Sequence, residues 1–396
     1  MNPIQKRIKK EMFIDIASCQ KKKYNQNAYG DFFISQRLPN MKRVVAVLSD
    51  GLGSGIKANI LACMTSTMLL KFMEKNSDIE KSCEIIMNSL PVCKVRGISY
   101  STFSAIDCYE SGKAKIVEEG NPDFIWIRNG QVLKPKYQLI QSKSFQNRKM
   151  KIYDIQLCMQ DRIIFCSDGA TQVSMASEKY PLGLQREGLI KIILEKLKKD
   201  PEISSKQLSD YIVGQVQLIA QNGKLKDDTS VVSIYCRDPR RSIIFTGPPY
   251  NQDKDSYYAK FFINFKGKKA ISGGTTANII SRELNTPVTS DMTLNLGKLP
   301  GLSKIKGVDL VTEGILTLTK TLEYLETGNP EDDAAKALMD FILESDCINF
   351  LVGSQMNKAH YDPTLPIEIE IRKNVIRKME KIIKEKYLKE VNVQFI

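Results

Sequence analysis

Histidine is almost missing from this sequence, with His360 the single one in 396 residues. That excludes a multi-histidine zinc site, the H-E-x-x-H arrangement and any histidine-paired nucleophile in the N-terminal half. No apolar run reaches the roughly 18 residues a membrane span needs, and the opening Met-Asn-Pro-Ile-Gln-Lys-Arg has no apolar signal core. A cytoplasmic chain with no membrane partner is the expectation. No C-x-x-C occurs, and the nine cysteines are an odd number, several inside apolar strands. Buried free thiols in a reducing compartment fit this better than a disulfide frame or a zinc site. Chemistry in the N-terminal half must therefore come from carboxylates, which favour oxygen-loving ions such as Mg²⁺ or Mn²⁺.

The carboxylates are there, and they are patterned. Val44 to Leu48 is a short apolar run of β-branched character that leads to Asp50, followed by Gly51, Gly53 and Gly55 before a helical pattern begins near Ile56. A carboxylate at a strand end, beside a tight turn with free carbonyls, suits a hard cation. On its own the segment is equally well a strand-to-helix turn with a capping Asp. The pattern returns, however, as Ser167-Asp168-Gly169 after the strand Arg162 to Cys166. It returns again as Asp227-Asp228 before the run Val231 to Cys236, and as Asp31 between Gly30 and Phe32. Four acidic positions at strand ends would repel if gathered, and a metal would offset that cost.

In this order, Gly30-Asp31, Asp50-Gly51-x-Gly53-x-Gly55-x-x-Ala58, Ser167-Asp168-Gly169 and Asp227-Asp228-Thr229-Ser230 resemble the metal-dependent (class 2C) protein phosphatases. They are most similar to the bacterial SpoIIE-type branch, as are Glu119-Gly120-Asn121-Pro122 and Arg128-Asn129-Gly130. The resemblance covers roughly residues 1 to 238. Ser54 stands where many members of the branch carry histidine, outside the metal positions. The resemblance implies hydrolysis of phosphoserine or phosphothreonine in a protein, using a water activated by two Mn²⁺ or Mg²⁺ ions. It implies that Asp50 bridges both ions and that the Gly51 carbonyl binds one. Asp168 and Asp227 would hold the second, and Asp31 would contact an ion or its water. Asp31 and Asp50 are thus the catalytic candidates. Asp228 would orient Asp227 or close the strand, and Gly120 would shape nearby backbone.

Along the chain, Ile4, Ile8, Met12 and Ile16 recur at a helical interval and predict an amphipathic helix over 4–20. A helix from Ile56 to about Lys75 is apolar on several faces and is expected to pack between layers. A second helix, capped by Ser77 or Asp78, ends before Pro91. Hairpins follow at Glu110 to Lys113 and at Asn129-Gly130. Further strands are expected at 152–157, 162–166 and 230–236, with helices at 187–199 and 204–220. Hairpins flanked by helices predict antiparallel sheets under helical layers. The fold class expected is α+β: a four-layer α-β-β-α sandwich over 1–238, as the resemblance implies, followed by a smaller α/β domain.

The charged joint Arg237-Asp-Pro-Arg-Arg241 marks the boundary, and 239–396 reads differently. Apolar runs at 243–245, 269–271, 308–311 and 348–352 alternate with helices and end near glycine, which predicts a largely parallel sheet. Ser272-Gly273-Gly274-Thr275-Thr276 lies between a strand and a helix, where free amides and hydroxyls could hold an anion or nucleotide. An ordinary glycine turn with a threonine cap is the other reading of the same residues. Glu313, Lys358, His360 and Asp362 could gather at that edge.

The net charge of +13 raises the question of nucleic acid. The lysines, such as Lys191, Lys196, Lys198 and Lys199, then Lys378, Lys381, Lys384, Lys386 and Lys389, are spread along helices, diluted by glutamates and short of interleaved aromatics. That predicts a solvated basic surface, which would also suit a phosphorylated protein. The expected partners are therefore a phosphorylated protein, by resemblance a regulator of transcription, and a second copy of the chain. Nucleic acid is not expected. A sensor whose C-terminal domain binds a nucleotide or anion and gates the first domain is the alternative, and a metal-dependent nuclease is a third reading.

Overall fold

The computed structural model describes residues 12–38, 42–53, 55–77, 79–89, 101–141, 149–290, 303–354 and 365–396. The chain divides into two compact units, Met1–Asp238 and Pro239–Ile396. The first unit opens with β1 (Phe13–Lys21), β2 (Asp31–Leu38), β3 (Arg43–Gly51), α1 (Ile56–Glu74) and α2 (Ile79–Ser89). It continues through β4 (Ser101–Tyr109), β5 (Lys113–Glu119), β6 (Ile125–Arg128), β7 (Gln131–Leu133), β8 (Gln138–Gln141), β9 (Lys149–Gln156) and β10 (Arg162–Cys166). It ends with α3 (Asp168–Thr171), α4 (Gln185–Lys199), α5 (Ser205–Ile219) and β11 (Thr229–Arg237).

These strands form two antiparallel sheets, ordered β1-β11-β10-β6-β7 and β2-β3-β4-β5-β9-β8. Successive side chains of a strand point to opposite faces, so each sheet has two jobs. Val44, Ala46 and Leu48 of β3 meet Ile163, Phe165, Val232 and Ile234 in the core between the sheets. Val45 and Val47 turn the other way, onto Leu69, Leu70 and Met73 of α1. Ile164 and Val231 likewise turn outward, onto Leu189 and Ile193 of α4 and Leu208 and Ile212 of α5. The result is an α+β fold of four layers.

Two expected helices are corrected. The helix expected over 4–20 is strand β1 from Phe13 on, paired along its length with β11. Ile14 and Ile16, two apart, face the inter-sheet core, and this pairing overrides the apparent four-residue spacing. Ile4 and Ile8 lie outside the described residues, as do Ser54 and Asp78. The helix expected between layers is an outer one: Ile56, Ile60 and Met64 are 70%, 52% and 47% exposed along one side of α1. Small residues, Ala58 and Ala62, let its other side lie close on the sheet. Buried Arg43 secures the far end of α1, donating to the Met73 carbonyl, to Asn76 at 2.6 Å and to Asp107 at 2.6 and 2.7 Å. Seven cysteines, from Cys19 to Cys347, are free thiols.

The second unit comprises β12 (Arg241–Thr246), α6 (Asp255–Ile263), β13 (Lys268–Ser272), α7 (Gly274–Leu284), β14 (Thr289–Ser290), β15 (Ser303–Lys304) and β16 (Leu310–Thr312). Then come α8 (Ile315–Thr327), α9 (Ala334–Glu344), β17 (Cys347–Val352), α10 (Leu365–Glu385) and β18 (Glu390–Phe395). The sheet order is β14-β15-β16-β13-β12-β17-β18, parallel from β16 to β18. Residues of α6 and α7 cover one face, and those of α8, α9 and α10 the other. Strand β18 was hidden in the sequence by the lysine-rich run before it. Two of those lysines are not merely solvated. Lys386 Nζ donates to the Leu325 and Glu326 carbonyls at 2.9 and 2.8 Å, closing α8. Lys389 Nζ does the same for Leu343 and Ser345 at the end of α9, at 2.7 and 2.5 Å.

Candidate active site

The alternation that builds the core also builds the site. Asp50 keeps the parity of Val44, Ala46 and Leu48, so its side chain faces the gap between the sheets. Asp31 stands directly opposite it on β2, in antiparallel register. Ser230 and Asp228 continue the inward parity of Val232 and Ile234, and Ser167 that of Ile163 and Phe165. One end of the inter-sheet gap is thus lined by polar groups instead of apolar ones. Asp168 opens α3 just beyond Ser167, and Asp227 precedes Asp228 at the rim.

Glycine permits the close approaches. A Cβ at Gly51 would lie 2.1 Å from the Ala58 carbonyl oxygen, where the end of β3 meets α1. A Cβ at Gly169 would lie 2.1 Å from the Asp228 carbonyl oxygen. Each glycine sits beside an acid because the turn presenting that acid is pressed against backbone.

Asp31 is 2% exposed. Its Oδ2 accepts from the Ser230 hydroxyl at 2.6 Å, while its Oδ1 is buried with no hydrogen-bond partner. Burial, with the charge of Asp228, pushes its pKa up to about 6, although the Ser230 and Ser167 hydroxyls oppose the shift. Asp50 is pushed up to about 10, first by burial, then by the charges of Asp31, Asp168 and Asp227. Asp227 is raised by burial and by Asp168. The four predicted acids therefore act on one another electrostatically at one end of the sandwich. As the side chains stand, no group of three His, Cys, Asp or Glu among the described residues is arranged to hold a metal ion.

Asp228 does something else. Its Oδ1 accepts from the Lys23 N–H at 2.9 Å and its Oδ2 from the Gly30 N–H at 2.7 Å, so a carboxylate just before β11 clamps the loop that delivers Asp31. Its own N–H donates to Asp227 Oδ1 at 2.9 Å. The serines were missed as site residues. Ser230 receives Gln20 Nε2 at 3.0 Å, and its N–H donates to Ser167 Oγ at 3.0 Å. The signal was present in Ser167-Asp168 and Thr229-Ser230, but a serine beside an acid is common. Gln172 Nε2 donates to Asp168 Oδ2 at 3.0 Å and also lines a cavity of about 300 Å³ with Thr171, Leu182 and Arg186.

Glu118 and Gly120 shape the backbone alongside. Gly120 has φ +77°, and a Cβ there would lie 2.4 Å from Cγ2 of Thr102, the residue paired with Asp50 on β4. Glu118, 3% exposed, accepts from the Phe124 N–H at 3.0 Å, and burial raises its pKa from 4.5 to about 8. The folded state thus keeps a proton that the unfolded chain has lost between pH 4.5 and about 8, and stability should fall as pH rises through that window. Glu118→Gln keeps the acceptor for Phe124 and removes the charge. It should flatten the dependence and add a few kcal/mol at pH 8.5, read as a shift in urea midpoint between pH 5 and 8.5.

A family model, Stage II sporulation protein E (SpoIIE), matches residues 40–237, half of the chain. The chain belongs to the SpoIIE family. This SpoIIE-family chain is 26% identical over 208 residues to Stage II sporulation protein E of Bacillus subtilis (strain 168); the match takes in 52% of the chain and 24% of the relative's length. Two solved structures of the phosphatase domain of that protein resemble this chain. One has 17% identity and a TM-score of 0.43, covering 58% of this chain and 94% of that one. The other, with a fragment of the regulatory domain, has 18% identity and a TM-score of 0.47, covering 57% and 64%. Among the described residues no helix is long and apolar enough to cross a membrane.

Proposed function

We propose that the chain is a metal-dependent protein serine/threonine phosphatase acting on phosphoserine or phosphothreonine. The observation that carries this is the facing pair Asp31 and Asp50, with the charges of Asp168 and Asp227 bearing on Asp50. The group fits hard divalent ions: every donor is an oxygen, the charges of Asp31, Asp168 and Asp227 hold the buried Asp50 carboxyl up, and a buried carboxylate oxygen of Asp31 lacks a partner. Asp50, the Gly51 carbonyl, Asp168 and Asp227 would hold two Mn²⁺ or Mg²⁺ ions, with Asp31 beside them. Bound there, the ions would offset the carboxylates, polarise phosphoryl oxygens and make water acidic near neutral pH.

The chain's own part is positioning. Ser230 orients Asp31, Asp228 holds the loop that presents it, and Gln172 turns Asp168. The cavity beside Gln172 and Arg186 gives room for residues flanking the phosphorylated side chain. The net charge of +13 favours an acidic partner, and the family resemblance favours a phosphorylated regulator of transcription.

Mn²⁺ should start phosphate release from a phosphoprotein or an aryl phosphate, and chelator should stop it. Mn²⁺ at about 100 times its Kd should also stabilise the first unit by about 2.7 kcal/mol, a Tm rise of about 5–10 °C. Phosphate release that survives chelator would overturn the reading.

A further inference from the structure

The second unit carries a feature the hydrolytic site does not use. Its parallel strands run β16-β13-β12-β17-β18, which in chain order is third, second, first, fourth, fifth. Ligands of such sheets sit beyond the carboxyl ends of the strands. There, β13 passes into α7 through Gly273, and the neighbouring β16 passes into α8 through Gly314.

The two turns repeat one design. Each helix has glycine at its N-cap with no side-chain cap, no acidic residue in its first turn, and threonine three positions on. Thr276 and Thr317 are both 0% exposed, and the Oγ1 of each is buried without a hydrogen-bond partner. A Cβ built on Gly273 would find only Thr276 Oγ1, at 3.5 Å, and Gly314 Cα, at 3.9 Å. A Cβ on Gly314 would find only Gly273 Cα, at 3.7 Å. Among the described residues, two helix starts thus abut through bare backbone, with space left where side chains would be. The Ser272 hydroxyl pins them together by donating to the Glu313 carbonyl at 2.9 Å, and the Gly273 N–H does so by donating to the Thr312 carbonyl at 2.9 Å.

Uncapped amides at two adjoining helix starts concentrate positive potential. A buried hydroxyl without a partner in the first turn of each helix is costly unless something arrives to accept from it. An ordinary capped turn, the other reading of Ser272 to Thr276, would have used the threonine oxygen as its cap. Glu313, exposed at the same edge, lies 3.9 Å from a Cβ on Gly274 and is an acceptor for hydroxyls.

We infer that this edge binds a nucleotide: its phosphates at the Gly273 and Gly314 helix starts, taking hydroxyl hydrogen bonds from Thr276 and Thr317, and its ribose hydroxyls donating to Glu313. The inference is independent of the phosphatase reading.

The test is calorimetric titration of the full chain in chelator with ADP, GDP and inorganic pyrophosphate. At least one nucleotide should bind, more tightly than pyrophosphate. Thr276→Val and Thr317→Val replace an unpartnered hydroxyl with a methyl, so each should keep or raise Tm while weakening nucleotide binding about ten-fold. Glu313→Gln should weaken the nucleotide and not pyrophosphate. Asp50→Asn should leave binding unchanged. Absence of binding by all three probes overturns the site, as does affinity indifferent to both threonine variants or lost in Asp50→Asn. Pyrophosphate binding as tight as the tighter of the two nucleotides overturns the nucleotide assignment.

Discussion

Asp50→Asn should reduce Mn²⁺-dependent phosphate release by at least about a thousand-fold and, in metal-free protein near neutral pH, raise the melting temperature. The two effects share a cause. Burial and the charges of Asp31, Asp168 and Asp227 hold the Asp50 carboxyl at about 10 in the folded chain, far above its ordinary 3.8. The folded state therefore keeps a proton that the unfolded chain gives up, and stability drains away as pH climbs from about 4 toward 10. Asparagine has no charge to desolvate, so the variant escapes that loss. With Mn²⁺ present the order should reverse, because only the carboxylate repays its burial by holding the ion. Melting curves at pH 5, 7 and 9, with and without Mn²⁺, separate these outcomes. A variant less stable than the parent in chelator at pH 7 would mean that Asp50 serves the fold and not an ion.

Loss of the Asp228 carboxylate should cost about 3–5 kcal/mol and most of the activity, although Asp228 need touch neither ion nor substrate. Two backbone N–H groups, of Lys23 and Gly30, end on its oxygens at 2.9 and 2.7 Å. Asp228→Ala leaves both donors without an acceptor in a place water barely reaches, since Asp228 is 3% exposed. Asp228→Asn keeps one oxygen and should fall about halfway. Trp126, the single tryptophan, is 8% exposed on β6 between the sheets. Its fluorescence therefore follows denaturation of the first unit alone. A positioning role predicts that kcat falls in the asparagine variant with little change in KM, because Asp31 is loosened while the cavity by Arg186 is untouched. Unchanged kcat in a destabilised variant would assign Asp228 to stability only.

Much of this was local enough to read in advance. Strands β3 and β10 announce themselves as short apolar runs, β4 and β5 by two-residue alternation, and the hairpin at Asn129-Gly130 by its turn chemistry. The outer position of α1 was not legible, because Ile60 and Met64 look as apolar in the sequence as the buried Leu69 and Leu70. Nor was β18, whose partner β17 precedes it by a long helix. Lys358, His360 and Asp362 lie outside the described residues, and Glu313 takes a place at the edge of the second sheet.

The order of residues by itself determined which chemistry was open: oxygen donors, no histidine in the N-terminal half, acids at strand ends beside glycines that let backbone press close. Those are properties of short segments and survive without knowing what each segment meets. Only the folded chain decided that β1 is a strand, since its backbone donors and acceptors are satisfied by β11 more than 200 residues later. It likewise decided that Ser230 serves Asp31 across 199 positions and that two glycine turns lie back to back. Hydrogen bonds and close contacts depend on distance in space, and separation along the chain does not encode it.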